Sequence, residues 1–195
     1  MIIYLVRHTK PDVAENTCYG QSNIGVIDQT FQQEVLRMRA ILPVSKWGTI
    51  YTSPLKRCLC LAKELARATC RIRTDNRLKE LNFGKWELQK WDDIDDKEMI
   101  DWGQNYIEKS PPEGESFAQL YNRSVEFWEE LISKRHSMAA VFTHGGVMKS
   151  ILTHILEMPL KKSFTFHLNY GEIIKIDTNE NNMYQVEFLS SSKNC

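Results

Sequence analysis

The chain lacks a net charge, a long apolar run and a basic segment ahead of its first apolar stretch. Its 25 Lys and Arg residues balance 25 Asp and Glu residues, so no overall field draws it to nucleic acid or to an anionic membrane. The first apolar run, residues 2–6, ends at Arg7-His8 and is predicted to be a buried strand rather than a signal peptide. No run approaches the roughly 18–20 apolar residues of a membrane helix. We therefore expect a cytoplasmic protein with no nucleic-acid and no membrane partner.

Paired or metal-binding cysteines are also absent. The five cysteines form no CxxC pair and show no Cys/His spacing typical of a metal site, so we expect reduced thiols and no bound metal. A cysteine nucleophile at Cys58 or Cys60 is an alternative. Cys58, however, lies on the apolar stripe of a predicted helix, where packing explains it better.

The composition and the order of elements predict the fold class. The 195 residues, 42% hydrophobic and 26% charged, suffice for one compact domain over residues 1–195, and no repeat or linker divides them. Strands alternating with helices predict an α/β fold, a three-layer α/β/α sandwich with a mostly parallel central sheet. The predicted strands are residues 2–6, 49–51, 71–74, 138–142, 163–168, 172–177 and 184–189; the predicted helices are 31–42, 147–156 and two that begin at Ser53 and Ser116.

Two of these helix starts carry specific signals. Ser53-Pro54 pairs a favoured N-cap with a proline at the first helical position, where its missing N–H costs nothing. Ser116 and Gln119 form a capping box, and the aromatic stripe that follows is predicted to be core. Residues 78–115, rich in Trp, Asp and Gly, are predicted to form an irregular cap over the site, and the polar tail SSSKNC is expected to fray.

Polar side chains of one chemical kind follow three predicted strands. The first strand ends in Arg7-His8, the second leads to Ser53 and, one helical turn later, to Arg57, and the strand near residue 141 leads to His144. Ligands of open α/β sheets bind beyond the C-terminal ends of the strands. Two arginines, two histidines and the N–H groups of a helix start are the groups that a phosphate dianion requires. The sequence therefore predicts a phosphate site at this edge of the sheet.

Four motifs resemble those of one known family. LVRHTKP, TSPLKR, LKELNFGKWE and FTHGG occur in the order and relative spacing of the histidine phosphatase superfamily, across about residues 2–177. CYGQSN and PPEGESF are most similar to the α-ribazole phosphatases of cobalamin nucleotide-loop assembly. The resemblance implies a phosphoglycerate-mutase-like fold and a metal-independent phosphomonoesterase that needs no cofactor. Its substrate would be a small-molecule phosphomonoester, with α-ribazole 5′-phosphate as the specific expectation.

The resemblance also implies roles for individual residues. His8 would attack phosphorus and form a phosphohistidine, and Glu80 would protonate the leaving group and then activate water. His144 would take part in catalysis and, together with three other groups, bind the phosphate. Those three groups are Arg7, Arg57 and Gly145.

The substrate contacts are less specified. Tyr19, Gln21 and Asn23 follow the nucleophile in a loop and are candidates to contact the leaving group. Several acids near Glu80 leave open which carboxyl is the general acid. The cap tryptophans are expected either to cover the leaving group or to pack within the cap; they are Trp86, Trp91 and Trp102.

Several functions compete with the leading one. A broad-specificity phosphatase acting on sugar phosphates or nucleotides shares every motif. A phosphoglycerate mutase would usually be longer, with an insert over the site, and a noncatalytic phosphate-binding module would usually have lost the nucleophile or its partners. A metal-dependent hydrolase would need clustered His and carboxylate ligands. A homodimer remains an open expectation.

Overall fold

The computed structural model describes residues 1–134, 136–179 and 183–189. Within these residues the strands are β1 (Ile2–Arg7), β2 (Thr49–Thr52), β3 (Arg71–Thr74), β4 (Met138–Thr143), β5 (Ile173–Thr178) and β6 (Tyr184–Phe188). The α-helices are α1 (Asp28–Ile41), α2 (Lys56–Leu65), α3 (Asp96–Asn105), α4 (Phe117–Ser133) and α5 (Gly145–Ile155). The tail SSSKNC, expected to fray, lies outside the described residues.

The described strands form one sheet in the order β3-β2-β4-β1-β5-β6. The pairs β2–β3, β2–β4 and β1–β4 are parallel, whereas β5 runs antiparallel to both β1 and β6. The prediction of a mostly parallel central sheet is therefore confirmed. Because β5 is reversed, its first residues lie at the same edge as the last residues of β1 and β4.

Each face of the sheet buries its own apolar core. Alternate side chains of a strand point to opposite faces, so Ile3 and Leu5 pack on one side while Tyr4 and Val6 pack on the other. The first side is covered by α4 and α5, and the second by α1 and α2. The expected three-layer α/β/α arrangement is confirmed.

The helix predicted to begin at Ser53 begins instead at Lys56. The Ser53 amide still donates to the Phe142 carbonyl (2.9 Å), so the chain leaves the sheet one residue later than expected. Leu55 then keeps an extended conformation (ψ 137°) and becomes the N-cap. This delay leaves the Ser53 hydroxyl beside the strand ends rather than on a helix terminus.

The strand predicted over residues 163–168 was wrong. Residues Leu160–Thr165 form a 3-10 helix. The Lys162 amide donates to the Pro159 carbonyl (2.8 Å), and the Ser163 hydroxyl donates to the Leu160 carbonyl (2.7 Å). These local bonds satisfy groups that a sheet ladder would otherwise need, so the alternating apolar pattern does not produce a strand.

The segment predicted as an irregular cap has little regular structure apart from α3. It contains short 3-10 turns at Asn76–Leu78, Gly84–Trp86 and Trp91–Asp93. Gly84 has a φ of +54°, and an added Cβ would lie 2.1 Å from the Pro112 carbonyl, so the turn near residue 112 packs directly against it. The capping box of Ser116 and Gln119 at the start of α4 is confirmed. No helix in the described residues is long and apolar enough to cross a membrane.

Candidate active site

The ends of three neighbouring parallel strands, β2, β4 and β1, bring the predicted site residues together. The ladder continues one residue beyond the strands, because the His8 amide donates to the Thr143 carbonyl (3.1 Å) and the Ser53 amide to the Phe142 carbonyl (2.9 Å). His144 follows β4 directly, and its ring centroid lies 5.1 Å from that of His8. The strand-end argument therefore predicted the right neighbours.

His8 is held as a neutral imidazole with one nitrogen available. Its Nδ1 lies 2.7 Å from the Thr9 carbonyl oxygen. Because a carbonyl only accepts hydrogen bonds, we assign the hydrogen to Nδ1, which leaves the lone pair on Nε2. Burial, together with the positive charges of Arg57 and Arg7, lowers the pKa of His8 well below its usual value of 6.5. An unprotonated nitrogen beside two cations suits attack on a phosphate ester.

Two arginines supply positive charge around His8. Arg7 donates through Nη1 to the Leu168 carbonyl. Arg57 is fully buried and donates to the carbonyls of Ser22 (2.8 Å) and Gly20 (2.5 Å). Within the described part of the chain, neither forms an ion pair with a carboxylate, and the buried Nε of each has no hydrogen-bond partner. The buried Arg57 and the partly buried Arg7 thus have hydrogen-bond donors to spare and form a site for an anion.

His144 is also buried and neutral. Its Nε2 lies 2.8 Å from the Ser53 hydroxyl, and the Cys58 sulfur lies 3.4 Å from the same nitrogen. Burial, followed by the charge of Arg57, lowers the pKa of His144 well below 6.5. Burial raises the pKa of the Cys58 thiol, which donates to the Thr143 carbonyl (3.3 Å). Cys58 is therefore an unionised packing residue, which argues against it as a nucleophile.

Glu80 lies in the segment after the turn Asn76–Leu78 and places its carboxylate at the N-terminus of α5. Both carboxylate oxygens accept from the Gly146 amide (3.1 and 3.2 Å), and one also accepts from the Leu81 amide (2.9 Å). A Cβ added at Gly146 would lie 2.3 Å from that carboxylate, so only glycine allows the close approach. The helix N-terminus thus holds a carboxylate at the mouth of the arginine and histidine cluster.

Two of the competing acids, Glu87 and Asp95, have structural partners. The Glu87 carboxylate accepts from the Gln21 amide (2.7 Å) and the Phe83 amide (3.2 Å), which makes it a structural group of the loop. Asp95 caps α3. Of the acidic residues from 80 to 98, Glu80 is the one that lines the cavity described below.

A cavity of about 610 Å³ opens next to the cluster. Arg7, Glu80 and Gly145 line its inner end, whereas His8, Arg57 and His144 lie buried behind that end at 0–1% exposure. Most of the wall is apolar and aromatic. The apolar lining residues include Val13, Phe83, Trp91, Phe117, Leu120, Phe164 and Leu168. A leaving group with a flat apolar part fits such a wall.

The three loop candidates have different positions. Tyr19 lines the cavity. Gln21 does not: its side chain donates to the Glu80 carbonyl (3.0 Å) and to Glu115 (3.3 Å). Asn23 accepts from the Lys56 amide (2.9 Å) at the start of α2. The structure therefore gives Gln21 and Asn23 partners within the protein, and the expected substrate contact stays a prediction for Tyr19 alone.

Of the cap tryptophans, one lies on the cavity. Trp91 lines it, whereas Trp86 and Trp102 pack edge to face with centroids 5.6 Å apart. Trp86 and Trp102 thus pack within the cap, and contact with the leaving group stays a prediction for Trp91.

Two residues of the site had not been predicted. Tyr170 lies over the cluster, with its ring centroid 4.4 Å from the Arg7 guanidinium and 5.6 Å from the His8 ring, and its hydroxyl is 2.7 Å from that of Tyr19. We refer to Tyr19 and Tyr170 as the tyrosine pair. Lys149 lines the cavity one helical turn after Gly145. The i to i+4 spacing on α5 could have indicated Lys149 from the sequence.

Metal ligands do not accompany these groups. Among the described residues, no group of three or more His, Cys, Asp or Glu side chains could hold a metal ion. The positive charge at the site comes from guanidinium groups and from the N-terminus of α5.

Comparisons with known proteins identify the family to which the chain belongs. The family model of the histidine phosphatase superfamily (branch 1) matches residues 3–190. Phosphoserine phosphatase 1 of Hydrogenobacter thermophilus is 32% identical over 162 residues, which cover 80% of this chain and 70% of that protein. The crystal structure of the α-ribazole phosphatase from Shigella flexneri superposes with a TM-score of 0.89 at 20% identity, covering 98% of this chain and 96% of that one.

A third similar protein has a different named substrate. The mycobacterial glucosyl-3-phosphoglycerate phosphatase superposes with a TM-score of 0.84 at 18% identity, covering 98% of this chain and 99% of that one. At such identities the structural matches establish the fold, and the family model establishes membership. The chain belongs to the histidine phosphatase superfamily.

Proposed function

We propose that this chain is a metal-independent phosphomonoesterase that acts through a phosphohistidine on His8. The observation that carries the proposal is the state of His8: the Thr9 carbonyl accepts its Nδ1 hydrogen, and its free Nε2 lies near two cations, the buried Arg57 and the partly buried Arg7. The noncatalytic alternative does not account for a nucleophile kept unprotonated in this way.

In the first step, the Nε2 lone pair of His8 forms a bond to phosphorus. The bond from phosphorus to the ester oxygen breaks, and the oxygen leaves with the electron pair. Glu80, in its protonated form, donates a proton to that oxygen. Arg7, Arg57 and the neutral His144 donate hydrogen bonds to the phosphoryl oxygens. The two arginines balance the charge of these oxygens, and the Gly145 amide adds the partial positive charge of the helix start.

In the second step, water cleaves the intermediate. The Glu80 carboxylate takes a proton from water while the water oxygen bonds to phosphorus. The P–N bond breaks, its electron pair returns to Nε2, and inorganic phosphate leaves. Glu80 is then protonated again and His8 neutral, so the enzyme is ready for another cycle.

The aromatic wall supports a substrate with a heteroaromatic leaving group. Phe83, Trp91 and Phe164 present flat apolar surfaces to the cavity. We therefore propose α-ribazole 5′-phosphate as the specific substrate, which a cobalamin nucleotide-loop pathway would supply.

One observation favours a second substrate class, a phosphomonoester whose leaving group carries a carboxylate. Lys149 is partly buried on the cavity wall, 4.3 Å from the Phe164 ring centroid, and within the described residues it forms no ion pair. Burial lowers its pKa, and an anionic group would relieve that cost. The phosphoserine phosphatase among the relatives is named for a substrate of this class.

The test is phosphate release in the presence of a chelator from α-ribazole 5′-phosphate, phosphoserine, 3-phosphoglycerate, sugar phosphates and nucleotides. We expect turnover by the wild type and none by His8→Ala. His154→Ala is the matched control, because His154 pairs with Glu129 on the surface, away from the site. Acid-labile, alkali-stable labelling of the wild type by a radioactive substrate would identify the phosphohistidine.

The outcomes separate the candidates. Strong preference for α-ribazole 5′-phosphate supports the specific role, whereas preference for phosphoserine that is lost in Lys149→Met supports the second class. Weak turnover of many esters would leave the mechanism intact and favour a broad-specificity phosphatase. Activity in His8→Ala equal to that of His154→Ala would contradict the histidine nucleophile.

A further inference from the structure

The side chain of Arg123 on α4 donates hydrogen bonds to the backbone around Glu80 and to the side chain of Glu115. Its Nη1 donates to the carbonyls of Arg77 (2.7 Å) and Lys79 (2.6 Å), and its Nη2 donates to the carbonyl of Glu80 itself (2.9 Å). Its remaining donors go to Glu115, including Nε at 3.0 Å. All five guanidinium N–H groups are thus used, although Arg123 contacts neither the cavity nor the histidines.

Glu115 extends the same network to the other side of Glu80. One of its oxygens accepts from the Asn82 amide (2.9 Å) and from the Gln21 side chain (3.3 Å), and Gln21 also donates to the Glu80 carbonyl (3.0 Å). Both partners of the ion pair are largely buried, at 18% and 16% side-chain exposure. The pair therefore fixes backbone groups before, at and after Glu80.

A largely buried ion pair is by itself weak evidence of a contribution to stability. Replacing such pairs by apolar side chains is often neutral for stability, so we relate this pair to the geometry that its hydrogen bonds define. Here the geometry concerned is that of one carboxyl group, because the Glu80 side chain projects from the very peptide units that the pair holds. A misplacement of about 1 Å in a reacting group can cost about 10²-fold in rate.

We propose that Arg123 and Glu115, the positioning pair, hold the Glu80 carboxyl in line with the ester oxygen of the substrate and so make it effective as the general acid. The proposal rests on the proposed role of Glu80. The positioning pair acts through Glu80 and touches no substrate atom.

The test uses the dependence of kcat/KM on the basicity of the leaving group. An alkyl phosphate needs a proton on its departing oxygen, whereas p-nitrophenyl phosphate releases a stable anion that needs little help. For Arg123→Lys, which cannot reproduce the guanidinium fork, we expect kcat/KM for alkyl phosphates to fall roughly 10- to 100-fold. For p-nitrophenyl phosphate we expect a change of less than about threefold, because general-acid assistance contributes little there.

Two further variants make the result specific. Glu115→Gln keeps an acceptor for the Asn82 amide but loses the charge, so we expect the same selective loss at smaller size, even if Arg123→Lys folds poorly. Arg77→Lys is the matched control: its side chain binds Asp75, Glu126 and Glu130 and makes none of the bonds to residues 79–82. We expect Arg77→Lys to leave kcat/KM for both substrates unchanged.

Glu80→Gln decides where a failure lies. Suppose that Glu80→Gln shows the selective loss, but that the two positioning variants lower kcat/KM equally for both substrates or leave both values unchanged. The positioning pair is then only structural, and the inference is overturned. If Glu80→Gln lowers kcat/KM by the same factor for both substrates, Glu80 is not the general acid. The proposed role of Glu80 and that of the positioning pair are then both overturned. Selective loss in all three variants, largest for Glu80→Gln, supports the inference.

Discussion

The buried neutral histidines make the stability of this protein depend on pH in a defined way. Burial lowers the pKa of both His8 and His144 well below 6.5, and the positive charge of Arg57 lowers it further. In the unfolded chain both imidazoles return to a pKa near 6.5 and take up protons as the pH falls. The unfolded state then binds protons that the folded state does not, so the free energy of unfolding must decrease as the pH falls through 6.5.

The magnitude follows from the linkage relation. For a group with an unfolded pKa of 6.5 and a folded pKa far lower, the change from pH 7.5 to pH 5.5 costs about 1.4 kcal/mol, so His8 and His144 together cost about 2.7 kcal/mol. Urea unfolding in a phosphate-free buffer at the two pH values measures this loss. His8→Gln removes the contribution of one histidine. Its decrease in the free energy of unfolding between the two pH values should therefore be smaller than that of the wild type by about 1.4 kcal/mol.

The comparison of two proteins removes the contribution of the remaining histidines. His136, His154 and His167 are present in both the wild type and His8→Gln, so their titration cancels in the difference. The imidazole proton signals of His8 in the folded wild type should also stay unshifted between the two pH values. Equal losses in the two proteins would refute the assignment of a buried, neutral His8.

Two further predictions concern the edges of the site. Tyr19→Phe and Tyr170→Phe each remove the one hydrogen bond that joins the tyrosine pair over His8. We therefore expect each single variant and the double variant to raise the association rate constant of vanadate by a similar factor, roughly two- to tenfold. Additive effects of the two substitutions would contradict a shared bond. Gly146→Ala places a Cβ 2.3 Å from the Glu80 carboxylate and should lower kcat/KM for alkyl phosphates about 10²-fold. Gly103→Ala, where an added Cβ meets open space, should have no effect; equal activity in the two glycine variants would count against the Glu80 geometry.

The convergence of the candidate site residues could be predicted from the sequence because it depends on strand ends. Short continuous apolar runs locate β1 and β4, and parallel neighbours end at one edge of the sheet, so Arg7, His8 and His144 converge whatever conformation the loops adopt. Glu80 needed the family resemblance, because an irregular cap gives no period from which to place a side chain.

The residues missed by the sequence depend on tertiary information. Tyr170 precedes β5, and it reaches the site only because β5 is antiparallel to β1: the Gly171 amide donates to the His8 carbonyl (3.0 Å). Nothing local in the sequence specifies that reversal. Gln21 and Asn23 lie in the expected loop, but side-chain direction in a loop follows from partners far along the chain, here Glu80 and Lys56.

In the proposed mechanism the same two arginines do work that a metal ion does in other phosphatases. Before substrate binds, their charge disfavours protonation of His8 and keeps Nε2 nucleophilic. A phosphate dianion offsets that charge, and its oxygens provide acceptors for the buried Nε groups of Arg7 and Arg57 that have no partner within the described residues. As phosphorus bonds to Nε2 the imidazole becomes positive, and the Thr9 carbonyl, already accepting from Nδ1, stabilises that charge. The transferring phosphoryl group thus neutralises the positive charge of the two arginines, the same charge that reduces the stability of the protein without substrate.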